Sequence, residues 1–289
     1  MIRRRSIQTL LLAVASASAF AAQDAPKAEA PRADAPKREK SQSVGVFGEA
    51  VRGDVPEGVR DMVTPETDRA IQNGLAWLAR QQQADGSFGS GTYRGNIAVT
   101  SLSGLAFMAA GSSPGRGPYG AHVEKALSYI MANTSPAGFI AVATASTHGP
   151  MYSHGFGALF LAEAYGMTRR PELREKLQKA IRLIIDTQNH EGGWRYQPVR
   201  ADADISVTIC EINALRAARN AGLFIPKETV DSCIKYVKQA QNPDGGFRYM
   251  LGGGASAFPR SAAGVVALQS AGVYDDKEVA EGIAYLKQF

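Results

Sequence analysis

Cysteine is nearly absent from this chain: Cys210 and Cys233 are its two thiols in 289 residues. They fall on two consecutive antiparallel helices joined near Ile225, about 15 residues before the turn and about 8 after it, an offset of roughly 10 Å at 1.5 Å per residue. That is beyond disulfide reach, so the sequence predicts two free, buried thiols. Clusters of Lys and Arg interleaved with aromatics are missing, which argues against a nucleic-acid partner. No stretch shows the period-2 alternation of a strand, which argues against a β-fold. The apolar run beginning at Leu10-Leu11-Leu12-Ala13-Val14-Ala15 is too short and too rich in Ala and Ser to span a bilayer, so no transmembrane segment is expected in the mature chain.

That run instead belongs to an export signal. Arg3, Arg4 and Arg5 form a basic start, and Ala19-Phe20-Ala21 is a small-x-small cleavage site. The expected signal covers residues 1–22, the mature chain starts near Ala22 or Gln23, and the protein is placed in the periplasm or outside the cell. Arg4-Arg5-Ser6-Ile7 also fits a twin-arginine signal, so both export routes stay open. Loss of the three signal arginines reduces the formal charge from +5 to +2. Residues 23–62 are rich in Ala, Pro and Lys with almost no large apolar side chain, as in Ala25-Pro26-Lys27-Ala28-Glu29-Ala30-Pro31. Such a segment cannot bury enough surface to offset its ordering entropy and is read as a disordered linker. Residues 63–289 are long enough for one large core.

Within that part a heptapeptide recurs. Gln188-Asn189-His190-Glu191-Gly192-Gly193-Trp194 returns 53 residues later as Gln241-Asn242-Pro243-Asp244-Gly245-Gly246-Phe247. Gln82-Gln83-Ala84-Asp85-Gly86-Ser87-Phe88 precedes it by 106 residues, twice that interval. A fixed period of this size marks a repeat architecture in which each unit buries its apolar face against its neighbours.

Helical periodicity dominates, in two kinds of helix. Asp68–Gln82, His122–Asn133, Leu173–Gln188, Lys227–Gln241 and Lys277–Gln288 are amphipathic and read as outer helices. Ile97–Ala110, His154–Tyr165, Ile205–Ala221 and Ser261–Ala271 are small or apolar around most of their circumference and read as inner ones. Gly166, Gly222 and Gly272 are placed just past helix ends, and Pro171 and Pro226 at helix starts. The fold class predicted is all-α: an α/α toroid of repeated helical hairpins, incomplete in this chain. The pattern stops inside a repeat, and a truncated reading of a longer chain is favoured over an open ring.

Gln-x-x-x-x-Gly-Trp turns between such helices resemble the repeats of squalene and hopene cyclases, whose barrel is shared by the β-subunits of protein prenyltransferases. The resemblance extends from about Thr64 to Phe289, and it is also to small exported prenyltransferase/squalene oxidase repeat proteins. It implies structural roles for Gln82 and Phe88, Gln188 and Trp194, Gln241 and Phe247. It further implies that Asp202-Ala203-Asp204-Ile205 stands where cyclases carry Asp-x-Asp-Asp, with Asp204 as proton donor and Asp202 assisting. Ile205 replaces the third acid.

The residues allow another role for Asp204, because an Asp directly before Ile205-Ser206-Val207-Thr208 is in N-cap position. The inner helices are also poor in aromatics: Phe107, Phe156, Phe160 and Tyr165 are the available ones, few to steady a carbocation. A prenyltransferase zinc site is not expected, since Asp231-Ser232-Cys233 is followed by no histidine. Cys210-Glu211-Ile212-Asn213 departs from the Cys-x-Glu-Gln of thioester domains.

Tyr152, His154, Glu211 and Arg260 are candidate binding residues at the mouth of the ring, joined there by His148. Arg260 is a candidate partner for an acid such as Asp204, and Glu211, on an otherwise apolar helix, is expected to be paired or hydrated. No metal and no cofactor are expected. The preferred reading is an exported toroid that binds a hydrophobic, isoprenoid-like molecule or an envelope protein. The alternative is a class II terpene cyclase-like enzyme that protonates a polyene through Asp204.

Overall fold

A computed structural model describes residues 64–143 and 149–289. The expected signal, the whole expected linker and His148 lie outside the described residues. Among those described the protein is all-α, with nine α-helices and no strand. They are α1 Pro65–Arg80, α2 Ile97–Ala109, α3 Gly120–Ala132, α4 Pro150–Thr168, α5 Pro171–Thr187, α6 Ile205–Asn220, α7 Lys227–Gln239, α8 Phe258–Ser270 and α9 Lys277–Leu286. None is long and apolar enough to cross a membrane. The described residues divide into two compact units: residues 64–76 with Ala109–Gly111, and Trp77–Met108 with those from Ser112 to Phe289. The heptapeptide repeats and the candidate site belong to the second.

Two layers of helices build that second unit. α6 lies between α4 and α8, while α5 packs against α4 and α6, and α7 against α6 and α8. The sequence separates the layers by the width of the apolar face. α5 buries the single stripe Leu173, Leu177, Ala180, Ile181 and Ile184. α4 buries twelve of its nineteen residues, so it must have neighbours on most sides. Small residues set the spacing of the inner layer. A Cβ on Gly104 would stand 2.6 Å from the Phe160 ring, and one on Gly155 would stand 2.9 Å from the Cys210 Cβ. Both cysteines are free and buried.

Helix ends fall near the expected ones, and the differences are instructive. α4 begins at Pro150, four residues before the expected start, and α8 begins at Phe258, three before. Pro150 and Pro259 sit in first turns, where a missing N–H costs nothing and the fixed φ already suits a helix. Gly222 and Gly272 do follow their helices with φ of 93° and 98°. Gly166 does not: α4 runs through it to Thr168, and the left-handed position is Arg169, φ 55°.

Each heptapeptide is the joint between an outer helix and the next inner one. The Gln188 amide donates to the Gly192 carbonyl (2.8 Å) and to Thr229 in the first turn of α7 (2.9 Å). Gln241 donates likewise to Gly245 and Glu278, and Gln82 to Gly86 and His122. The aromatic is then pinned by the inner helix: the Trp194 N–H donates to the Thr208 hydroxyl and the Phe247 N–H to the Ser261 hydroxyl, in each case 14 residues on. Trp194 also donates from its indole to the Ile184 carbonyl.

A further joint escaped the sequence reading. Thr134 to Ile140 occupies the same place, midway between the joints at Gln82 and Gln188. Thr134 bridges Ile140 as Gln241 bridges Phe247. Gly138 has the positive φ of Gly86, Gly192 and Gly245. Its Gln and aromatic are replaced, so the motif is invisible at the level of residue identity.

Candidate functional site

Asp204 anchors the start of α6. Its Oδ1 accepts from the N–H groups of Ser206 (2.8 Å) and Val207 (2.9 Å), so it is an N-cap. Its Oδ2 accepts from the Tyr249 hydroxyl at 3.1 Å, and the side chain has no exposed surface. Burial pushes this carboxyl above the ordinary aspartate range, while the hydrogen bonds from Val207, Tyr249 and Ser206 oppose the rise. The N-cap reading and the acid reading therefore meet in one group: an acid whose proton is favoured by burial and whose conjugate base is held by donors.

Tyr249 and its neighbour Tyr196 come from the turns rather than from the inner helices, so the aromatic content of the helices does not reveal them. The joints at Trp194 and Phe247 each continue into Arg-Tyr: Arg195-Tyr196 and Arg248-Tyr249, again 53 residues apart. Each turn folds over the start of the preceding inner helix. Tyr196 accepts on its backbone oxygen from Met151 at the start of α4, and Tyr249 from Ile205 at the start of α6. The two hydroxyls thereby meet at 2.5 Å. Tyr152 adds a third ring 6.0 Å from that of Tyr196, its hydroxyl toward Ser206. Arg195 lies over the rings of Tyr196 (4.9 Å) and Tyr249 (6.0 Å). Its Nε is 3.6 Å from the Asp204 carboxylate. The register of the repeated Arg-Tyr was the available signal for this cluster.

Asp202 turns to Arg195, with which it forms a close ion pair, and is half exposed. Burial pushes the hydroxyls of Tyr152 and Tyr249 well above the usual tyrosine range, so both remain protonated donors.

Other expected site residues are placed differently. His154 does not line a mouth; it is wholly enclosed, accepting on Nδ1 from the Ile140 N–H and using Nε2 on the Ala180 carbonyl. It stands 14 residues after Ile140, the place that Thr208 and Ser261 hold after Trp194 and Phe247, and so is the pin of the degenerate joint. Burial lowers its pKa to about 4, so it is neutral at physiological pH. Arg260 does not pair with Asp204; from the first turn of α8 it donates to the carbonyl of Ala255 in the preceding loop. Glu211 is not paired. It is fully buried where Gly155 brings α4 against α6, both carboxyl oxygens lack a hydrogen-bond partner, and burial keeps it protonated well above the glutamate range. Of the expected set, Asp202, Asp204 and Tyr152 are brought together.

No group of three potential metal ligands occurs among the described residues. A crevice lined by Ile212, Leu215, Arg219, Ile225 and Val230 lies elsewhere, centred roughly 16 Å further along α6 from Asp204. It has no part in this cluster.

Paired helices in two layers with Gln-and-glycine joints define an α/α toroid repeat protein. Over residues 62–177 and 153–283 the chain matches the prenyltransferase alpha-alpha toroid domain, and it belongs to that family. It is 25% identical over 179 residues to drimenyl diphosphate synthase from Streptomyces showdoensis, which is 62% of this chain and 32% of that enzyme. Its fold is similar to that of the type II terpene cyclase MstE from Scytonema. The apo form shares 17% identity at a TM-score of 0.52, covering 77% of this chain and 63% of that one. A variant bound to its substrate, geranylgeranyl dihydroxybenzoate, shares 18% at 0.53, covering 77% and 62%. A variant with the product merosterolic acid A shares 18% at 0.53, covering 77% and 63%. The chain thus spans about a third of the curated relative and under two thirds of these structures.

Proposed function

We propose that this protein is a type II terpene cyclase-like enzyme that takes a linear, hydrophobic isoprenoid and protonates one of its double bonds with Asp204. One observation carries the proposal: a carboxyl with no exposed surface, its proton favoured by burial, stands at the rim of the inner helices under three tyrosine rings. The relatives named above support the class, since one makes drimenyl diphosphate and another binds a geranylgeranyl substrate.

The chemistry follows from the groups present. The Asp204 O–H bond breaks toward an alkene carbon, a C–H bond forms there, and the π pair leaves a cation on the neighbouring carbon. Successive double bonds then donate into that cation until a proton is lost from the last one. The aspartate left behind is stabilised by two backbone N–H groups, the Tyr249 hydroxyl and the positive end of α6. Tyr196 and Tyr249 form a hydrogen-bonded line along which a proton returns to Asp204. The faces of Tyr196 and Tyr249 answer the shortage of aromatics on the inner helices, because they can steady positive charge from the turns.

A second reading is favoured by a separate observation. Both Asp204 oxygens are already engaged, and Ile205 stands where the third acid of the cyclase motif would be. On that reading the protein binds an isoprenoid-like molecule, or an envelope protein, without turning it over. Export through residues 1–22 is part of either proposal.

The deciding experiment expresses the intact gene, recovers the exported protein and reads its N-terminus, expected at Ala22 or Gln23. The mature chain is then incubated with squalene, linear prenyl diphosphates and geranylgeranyl dihydroxybenzoate, and products are read by gas or liquid chromatography–mass spectrometry. Cyclised product that falls at least about a thousandfold in Asp204→Asn supports the acid role. No product from a folded wild-type protein sinks the enzyme and leaves the binding toroid.

A further inference from the structure

We propose that Asp202 is a positioning residue, whose carboxylate holds the Arg195 guanidinium at the rim and keeps that cation from closing onto Asp204. The inference rests on the reading of Asp204 as an acid, and it gives Asp202 a role other than direct assistance to that acid.

Three features of the geometry carry it. Asp202 grips Arg195 through one terminal nitrogen. The Arg195 Nε, although buried, makes no hydrogen bond, and it stops 3.6 Å short of Asp204 Oδ2. An approach of about 0.7 Å would convert that gap into an ordinary N–H···O bond. Arg195 also lies over the rings of Tyr196 and Tyr249, the turn tyrosines that stand beside Asp204.

Every other titratable neighbour of Asp204 is neutral when protonated. Tyr249 and Tyr196 come from the turns, Tyr152 from α4, Tyr236 from α7 and Cys210 from α6. Arg195 is the cation facing Asp204 among these groups. A charge-assisted bond from it to Oδ2 would hold Asp204 as the carboxylate, the form that cannot protonate anything. Asp202 offers the guanidinium a carboxylate that is half exposed, where the pair is not forced to shed its water. The sequence places this alternative partner two residues before the acid, on the same extended segment that leads into α6. Burial raises the Asp204 carboxyl, and the nearby Arg195 charge already works against that rise.

The test reads the protonation of Asp204 directly, so it does not depend on turnover. Protein labelled with ¹³C at the aspartate carboxyls is titrated by NMR, and the Asp204 signal is assigned by its loss in Asp204→Asn. Asp202→Asn is expected to lower the Asp204 midpoint by about one pH unit or more, a tenfold loss of proton affinity. Asp202→Glu should restore it. Because removing Asp202 also removes a negative charge, Arg195→Gln is made in both backgrounds. It should raise the midpoint more when Asp202 is already Asn, because only then does Arg195 touch Asp204. Equal rises in the two backgrounds, or no fall in Asp202→Asn, overturn the proposal. A shift without product from the wild type leaves the positioning intact and removes the cyclase reading. Product without a shift does the reverse.

Discussion

His154 shows how one residue type can be read in opposite ways. A histidine at the head of an inner helix suggested a ligand-facing group, yet both ring nitrogens are spent on backbone atoms inside the core. The environment leaves it neutral, with a pKa lowered to about 4 first by burial. The unfolded chain binds a proton there near pH 6.5 while the folded one does not, so stability falls as pH drops from about 6.5 toward 4. The full difference is about 3 kcal/mol. His154→Thr, which installs the residue found at Thr208, should abolish this contribution. Urea unfolding at pH 7 and pH 4.5 should therefore show a smaller loss in the variant than in the wild type. Equal losses would show that His154 is protonated in the fold. The position was legible as a pin, through its 14-residue offset from Ile140, only after the degenerate joint was seen.

At the scale of elements, the joint explains both what the sequence revealed and what it hid. Outer and inner helices were readable because one kind has a single apolar stripe and the other has nearly none of its surface polar. The aromatic rim was not readable from helices, because Tyr196 and Tyr249 arrive from turns that fold back over the preceding repeat. Asp202 and Asp204 were identifiable by their resemblance to a motif, but the partner of each depends on tertiary placement.

The joints also predict where substitution is least tolerated. Gly192 has a φ of 102°, and a Cβ there would lie 2.1 Å from the Ser232 carbonyl oxygen in α7. Gly272 has a similar φ of 98° with nothing within 4 Å. Gly192→Ala should therefore cost about 3 kcal/mol or more, combining left-handed strain with a backbone clash. Gly272→Ala should cost about 1 kcal/mol, from strain alone. Gln188→Ala, which removes two hydrogen bonds to carbonyls, should cost about 2 kcal/mol. Denaturant midpoints at constant m-value rank the three, and a Gly272→Ala as damaging as Gly192→Ala would refute the packing argument.

Across the whole of the second unit, stability should follow the number of flanks each helix has covered, because a repeat protein is held mainly by nearest-neighbour contacts. α6 is packed by α4, α5, α7 and α8, while the main contact of α9 is with α8. α9 is further tied at its start by Lys238 of α7, which pairs with Asp276 and Glu278, but these are partly exposed ion pairs worth little. Local opening therefore releases α9 at lower free energy than α6. Amide hydrogen exchange under native conditions should show the α6 amides, including that of the buried Leu215, exchanging only through global unfolding. The α9 amides should exchange through a smaller opening that leaves α4, α6 and their shared acid at Asp204 in place. The same opening should be nearly insensitive to Asp204→Asn, which acts two inner-helix contacts away. Identical exchange free energies for α6 and α9 would instead make the unit a single cooperative block, and the Asp204 rim would then share its stability with α9 rather than being insulated from it.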